Sequence, residues 1–372
     1  MGANVVIANA IGQQNEDTIR KAVHTSIIMS VIGGILVTII GELSIGYLLQ
    51  MLNVPSDVFP YALLYIRIYL LGMPVILLYN FEAAIFRSIG ETKTPLKALV
   101  VSGILNVLLK MTVNGVAIAT VIANVVSSML LFVKLYKTDS VIRISKDDFK
   151  FSKKIFRKII RIGLPAGIQT AVFAFANIVI QSSINSLGTV VIAASSAAFN
   201  IEIFAYDILN SFSQACTTFT GQNYGAGQLK QCRKILFLCI IEDAIATLCA
   251  IILVLISGKV LLSIFNNDPQ VIKIGYTRLL MVFSAYTFSM LYENMSGYLR
   301  GFGISLVPAV LTIIGVCGTR IAWVYAVFPM HRTFRTIMMV YPISLSVTAL
   351  LIFIALMIYR PSHKLQTNEG EI

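Results

Sequence analysis

The chain has 372 residues, of which 57% are hydrophobic and only 12% charged, against roughly 45–50% and 25% in ordinary soluble domains. That balance excludes a water-soluble globular protein and points to a bundle of membrane helices, each needing about 20 mostly apolar residues. The 29 basic residues against 17 acidic ones would suggest a nucleic-acid partner in a soluble chain, but their placement gives them another meaning.

In chain order, the apolar residues before Ile11 are too few to cross a bilayer of about 30 Å at 1.5 Å per residue, and read as the end of a helix. Continuous apolar stretches then run over 26–50, 60–86, 98–112, 115–135, 162–186, 190–217, 235–257, 274–299, 307–328 and 336–359, giving ten expected spans. Most of the basic residues fall in alternate connections: Arg20 and Lys21; Arg87, Lys93 and Lys97; ten within 134–161; Lys230, Arg233 and Lys234; Arg300; and Arg360 and Lys364. By the positive-inside rule these connections are cytoplasmic, so the net charge of +12 is an orientation signal in a multi-pass protein of the cytoplasmic membrane and calls for no nucleic acid.

The basic stretch divides the chain into an N-terminal lobe over 1–136, a cytoplasmic linker over 137–161, a C-terminal lobe over 162–360 and a cytoplasmic tail over 361–372. The second part of the linker reads as an amphipathic surface helix. The five cysteines have no metal-ligand spacing and read as small packing residues.

The halves repeat each other. Gly12, Arg20, Lys21, Tyr79, Arg87, Gly90 and Pro95 meet Gly225, Arg233, Lys234, Tyr292, Arg300, Gly303 and Pro308 at one offset of 213, while Asp57, Tyr65 and Arg67 meet Asp268, Tyr276 and Arg278 at 211. Duplication of a six-helix unit accounts for this, because an even number of spans returns the second copy in the same orientation; parallel repeats of this kind recur in secondary transporters. Residue 1 maps onto position 214, whereas the second half begins near Ile155 to Arg161. The first helix and most of the second therefore have no counterpart, and the first lobe is expected to be incomplete. Gly12 and Gly225 are expected to supply the left-handed turns that close helices, with Arg87 and Arg300 complementing helix dipoles.

GQNYGAGQLKQCRK at 221–234, its weaker echo ANAIGQQNEDTIRK at 8–21, the paired Arg-x-x-Gly turns followed by Pro95 and Pro308, GVAIATVIANVVS at 115–127, IGLPAGIQ at 162–169 and GTRIAWVYAVFP at 318–329 resemble the multidrug and toxic compound extrusion (MATE) family. The resemblance implies an all-α membrane protein of two pseudo-symmetric six-helix lobes forming a V, and an antiporter exporting organic cations or drugs in exchange for sodium ions or protons. It implies a monomer with no cofactor beyond the coupling ion. A lipid-linked saccharide flippase of the same superfamily and a non-functional remnant are the alternatives.

Ionisable groups inside spans mark pathways, since burying a charge costs several kcal/mol. Glu293 stands out: Tyr286, Ser289, Glu293, Ser296 and Arg300 fall on one helical face, and a polar stripe of that kind belongs inside a bundle. Its carboxylate could exchange protons or, with further oxygen ligands, hold sodium. The repeat places Asn80 opposite it. Glu202 and Asp207 are further coupling candidates, but at 100° per residue they point about 140° apart and do not share an ion. Glu42, Glu242 and Asp243 could face headgroups or a neighbouring helix. Glu82 lies one turn from Arg87 and is expected to pair with it. Arg67 and Arg278 lie near outer ends, where long side chains snorkel. Gln169, Asn177 and Gln181 form a neutral polar face. Tyr79 and Tyr292, equivalent by the repeat, are expected to contact substrate, together with Asn177, Ser289 and Asn80. The three histidines lie at span edges or in the tail, and with no nucleophilic triad, metal cluster or phosphate loop an enzyme is not expected.

Overall fold

A computed structural model describes residues 1–51, 56–109, 113–145 and 149–362; Lys110 and most of the expected tail, His363 to Ile372, lie outside the described residues. The described residues form helices α1 (Gly2–Gly12), α2 (Glu16–Met51), α3 (Phe59–Leu71), α4 (Met73–Ser88), α5 (Lys93–Leu108), α6 (Val113–Lys137), α7 (Lys153–Asn185), α8 (Thr189–Gly225), α9 (Leu229–Phe265), α10 (Pro269–Phe283), α11 (Tyr286–Gly301), α12 (Leu306–Thr312), a π-helical segment (Ile313–Gly318), α13 (Thr319–Ala326), α14 (Phe334–Met338) and α15 (Val340–Tyr359). They divide into two compact units, Met1–Ile160 and Arg161–Ile372.

Seven described segments are long and apolar enough to span a bilayer, and an eighth if the bent pair α3–α4 is one span. Their lipid face is legible in the exposures. On α2, Ile32, Leu36, Ile39 and Leu43 are each more than half exposed, and on α9 Ile245, Ile252, Ile256 and Val260 are too. Stripes of this kind at helical spacing have no place in water and fit an apolar solvent.

Ten continuous spans were expected, and the departures have local causes. The helix following Lys93 is described only as far as Leu108, and 274–299 is two helices separated at Ser284–Ala285. The stretch 60–86 bends by 48° between α3 and α4. Pro74 has no N–H to offer the carbonyl four residues earlier, Leu70. That carbonyl instead accepts a hydrogen bond from Thr38 Oγ1 of α2 at 2.6 Å, which satisfies it away from water. Nor is there a separate surface helix among the described residues of the linker: the basic segment from Lys153 runs unbroken into α7, past Pro165. Upstream of it, the chain folds back on the start of α2, where the Ser145 and Ser152 amides donate to His24 Nε2 and Thr25 Oγ1.

The repeat is visible in the backbone. Gly90 and Gly303 both have φ of +80°, and around them Gly90 and Glu91 donate to Arg87 and Phe86 just as Gly303 and Ile304 donate to Arg300 and Leu299. At the other repeated turn the left-handed residue is not Gly12 or Gly225, the last residues of α1 and α8, as expected. It falls two positions on, at Gln14 (φ +52°) and Gly227 (φ +72°), also 213 apart. The backbone bonds again correspond: Gln14 to Ile11 and Asn15 to Ala10, against Gly227 to Tyr224 and Gln228 to Asn223. The first copy therefore tolerates a side chain where the second uses glycine.

Within the second unit, α11 packs on α8 through Gly297 and Gly301. A Cβ on Gly297 would lie 2.5 Å from the Ser213 carbonyl oxygen, and one on Gly301 would lie 2.6 Å from Thr220 Cβ. This spacing lets the backbones approach as in small-x-x-x-small helix pairs. Side-chain hydroxyls use the proximity: Ser213 Oγ donates to the Glu293 carbonyl and Thr217 Oγ1 to the Gly297 carbonyl. Four of the five cysteines are buried and unbridged, as packing residues would be, whereas Cys249 is exposed.

Because a Cβ on Gly227 meets no atom within 4 Å, its replacement isolates the cost of the left-handed conformation. Gly227→Ala should lower stability by about 1–2 kcal/mol. Gln14→Gly should change it little, since relief of that strain is offset by the greater chain entropy of glycine. Thermal unfolding in detergent measures both.

Candidate functional site

The second unit encloses a cavity of about 330 Å³ lined from α7, α8, α10, α11, α13 and α15. Its charged lining is Glu202, Arg278 and Arg320, and its aromatic lining is Phe173, Phe199, Tyr206, Tyr286, Tyr292 and Tyr341. Of the residues singled out in the sequence, Glu202, Asn177, Ser289 and Tyr292 meet here.

They arrive from α7, α8 and α11, and the two arginines from α10 and α13. The break at Ser284–Ala285 makes α10 short, so Arg278 sits inside the bundle and not at a water-facing end. It is 3% exposed. Its Nε and Nη2 donate to the two Glu202 carboxylate oxygens at 2.6 and 2.9 Å, and Nη1 donates to Ser195 Oγ. Arg278 does not snorkel: a planar guanidinium meets a carboxylate side-on, the geometry that suits arginine and not lysine. Both Glu202 oxygens are thus held by Arg278, and an ion binding there would have to displace the arginine. Asp207, five residues on, is exposed and lies outside the cavity lining.

Arg320 is placed differently. It too is 3% exposed. Nη1 donates to Asn177 Oδ1 at 2.9 Å and Nε to Ser344 Oγ at 3.4 Å. Its guanidinium carbon lies 5.0 Å from the centre of the Phe173 ring and 4.5 Å from that of Tyr341. Tyr341 also lies 5.6 Å from the Arg278 guanidinium. Among the described residues, no carboxylate pairs with Arg320. The sequence placed Arg278 near an outer end and gave Arg320 no role; their partners Glu202 and Asn177 lie 76 and 143 residues away, separations that helical spacing cannot report.

Glu293 lies one residue past the cavity-lining Tyr292. The whole stripe of Tyr286, Ser289, Glu293, Ser296 and Arg300 is buried on α11, continuing from the cavity wall into the bundle. The Glu293 carboxylate has one loose ion pair, with Oε2 3.9 Å from Arg300 Nη1. Arg300 itself donates from Nη2 to Gln169 Oε1 on α7. The amide face of α7 thus receives two buried arginines, at Gln169 and Asn177. Asp243 of α9, expected to face headgroups or another helix, is fully buried and faces α11, accepting from Thr247 Oγ1 and from Asn294 Nδ2.

In the first unit, the equivalents by repeat are placed differently. Tyr79 is half-buried and Asn80 exposed, its amide donating to its own helix at the Ile76 carbonyl. Glu82 is fully buried but does not pair with Arg87. Ser128 Oγ donates to its Oε2 at 2.8 Å, while Glu82 Oε1 and Arg87 Nε have no hydrogen-bond partner. Five residues at 100° each turn the two side chains about 140° apart on the helix, too far round to pair. Near the far end of α2, Glu42 and Arg67 form a part-exposed pair at 3.3 Å.

These features define a multi-pass, all-α membrane protein with a charged, aromatic-lined cavity. The MatE family model matches residues 1–112 and 165–326, and the chain belongs to that family of membrane transporters. It is 25% identical over 370 residues to the probable multidrug resistance protein YoeA of Bacillus subtilis (strain 168), covering 95% of this chain and 80% of that one. It is 24% identical to the probable multidrug resistance protein NorM of Thermotoga maritima, covering 86% and 72%. A crystal structure of MATE in complex with MaL6 shares the fold at a TM-score of 0.88 and 22% identity, over 95% of this chain and 82% of that chain.

Removing one partner of a buried, hydrogen-bonded ion pair strands the other charge. Glu202→Ala should therefore destabilise the chain by about 3–5 kcal/mol. The apolar double replacement Glu202→Leu with Arg278→Met should recover most of that loss. Detergent unfolding midpoints of the three proteins compare the two effects.

Proposed function

We propose that the chain is an exporter of amphiphilic organic molecules in the cytoplasmic membrane, with its basic connections on the cytoplasmic side. Export is driven by exchange with protons or sodium ions at Glu293. Family membership and the multidrug names of its relatives support the class of activity. The single observation that carries the coupling residue is the contrast between the ion pairs of two buried carboxylates: Glu202 makes two short bonds to Arg278, whereas the pair of Glu293 with Arg300 is long, at 3.9 Å. A carboxylate so loosely held can exchange a counter-cation, and its stripe continues into the cavity wall. A sodium ion at the Glu293 carboxylate would need further oxygen ligands, of which the neighbouring Ser213 hydroxyl is one. Tyr292 and Ser289 line the cavity as substrate-contacting groups.

The cavity's two arginines against one glutamate weigh against a purely cationic substrate. They lend support to the second reading, in which an anionic lipid-linked saccharide is flipped.

In vesicles with an imposed sodium or proton gradient, efflux of a fluorescent dye by the wild-type chain should follow one of the two gradients. Glu293→Gln should lose gradient-driven efflux by at least about tenfold, the scale of one removed charge interaction, while still binding the dye. Efflux unaffected by Glu293→Gln, or indifferent to both gradients, would rule out this coupling scheme. Translocation of a lipid-linked saccharide without dye efflux would establish the second reading instead.

A further inference from the structure

The Arg320 guanidinium is a buried cation that forms no ion pair among the described residues. Its neighbours are neutral: Asn177 and Ser344 accept one hydrogen bond each, and the Phe173 and Tyr341 rings cover its faces. Cation–π contacts offset only part of the cost of taking a charge out of water. Neutral groups hold such an ion in place without cancelling its field. The companion arginine in the cavity, Arg278, is already neutralised by Glu202, so the uncompensated positive potential is centred on Arg320. Its Nη2 makes no hydrogen bond to a described residue, and the residue lines the 330 Å³ cavity.

The backbone around it is also unusual. Arg320 is the second residue after the π-helical segment Ile313–Gly318, a geometry that is rare and concentrates at functional sites. Gly315 holds that segment against α15, since a Cβ there would lie 2.9 Å from Thr348 Cα. The extra residue per turn rotates the positions that follow and so re-aims Arg320 relative to a continuous α-helix.

From this we infer that Arg320 anchors an anion-recognising subsite: the molecule taken up by the cavity carries a carboxylate or phosphate beside a flat apolar group. The anion meets the free Nη2 edge, while its apolar part lies against the aromatic lining of Tyr286, Tyr292 and Phe199. This deepens the export reading by naming a substrate class, and rests on it only for the direction of movement. A purely structural Arg320, tying α13 to α7 and α15, would instead be indifferent to the charge of the ligand.

The test is equilibrium binding to the full chain in detergent, read by fluorescence anisotropy with no gradient or vesicle, so failure of transport or coupling leaves its outcome untouched. The probes are fluorescein, which carries a carboxylate, and rhodamine 6G, an esterified cation on the same xanthene ring. Wild type should bind fluorescein more tightly. Arg320→Gln should weaken fluorescein at least tenfold and reverse the preference, and Arg320→Lys should keep it. Equal loss of both dyes, or no change in their ratio, overturns the subsite.

Should Arg320→Gln fail to fold, displacement from the wild-type chain decides. Naphthoate and naphthyl phosphate should displace fluorescein, and naphthylmethylammonium should not; equal displacement by the ammonium compound overturns the proposal. Displacement by micellar phosphatidic acid but not by the soluble naphthyl anions would also support Arg320 as the anchor, with a lipid headgroup as its anion.

Discussion

Inside a bilayer there is no water to solvate a charge or a backbone amide, and every polar group must find its partner within the protein. The second unit meets this constraint in three distinct ways. Arg278 and Glu202 neutralise each other in a side-on pair. Asp243 is held by a threonine and an asparagine, neutral donors only. Glu293 and Arg300 face each other at a distance too long for a good hydrogen bond, and Arg320 has no carboxylate at all. The same constraint acts on the backbone: the Leu70 carbonyl freed by Pro74 is taken up by Thr38. Close approach of α11 to α8 over Gly297 and Gly301 brings the hydroxyls of Ser213 and Thr217 within reach of α11 carbonyls.

This graded pairing separates structure from function. Groups with short, complementary partners define the bundle and resist change. Groups that are buried but under-compensated are those whose free energy a passing ion or ligand can alter. Two such groups, Glu293 and Arg320, have opposite charges and lie on different helices near one cavity, so a counter-cation and an anionic substrate group need not compete for the same atom. Conformational exchange requires differential binding of this kind, because a ligand moves an equilibrium only by the difference of its affinities for the two states.

Much of the fold was legible in the sequence because it is written in one dimension. Apolar run length located the long helices α2, α6, α8 and α9, and the 213-residue offset anticipated turns whose hydrogen bonds coincide atom for atom. The α11 stripe was legible from helical spacing alone, and all five of its members are buried. What escaped notice depends on which helix faces which. The Arg278–Glu202 pair joins residues 76 positions apart, and Arg278 looked like a span-end residue because the break at Ser284–Ala285 has no proline or glycine to announce it. Glu82 and Arg87 looked like a pair because they are about one turn apart in sequence, yet five residues turn their side chains about 140° from each other. The left-handed residue was placed on the glycine that ends the helix, whereas the turn needs it two positions later, where one copy of the repeat carries glutamine.

The central claim is that the loosely held Glu293, and not the tightly paired Glu202, is the exchangeable carboxylate. Proton release on addition of sodium ions or substrate, measured in weakly buffered detergent solution, tests it most directly. The account predicts a stoichiometric release from the wild-type chain, retained in the Glu202→Leu, Arg278→Met protein and absent from Glu293→Gln. Release that persists undiminished in Glu293→Gln, or disappears with the Glu202–Arg278 pair in a folded protein, would contradict it.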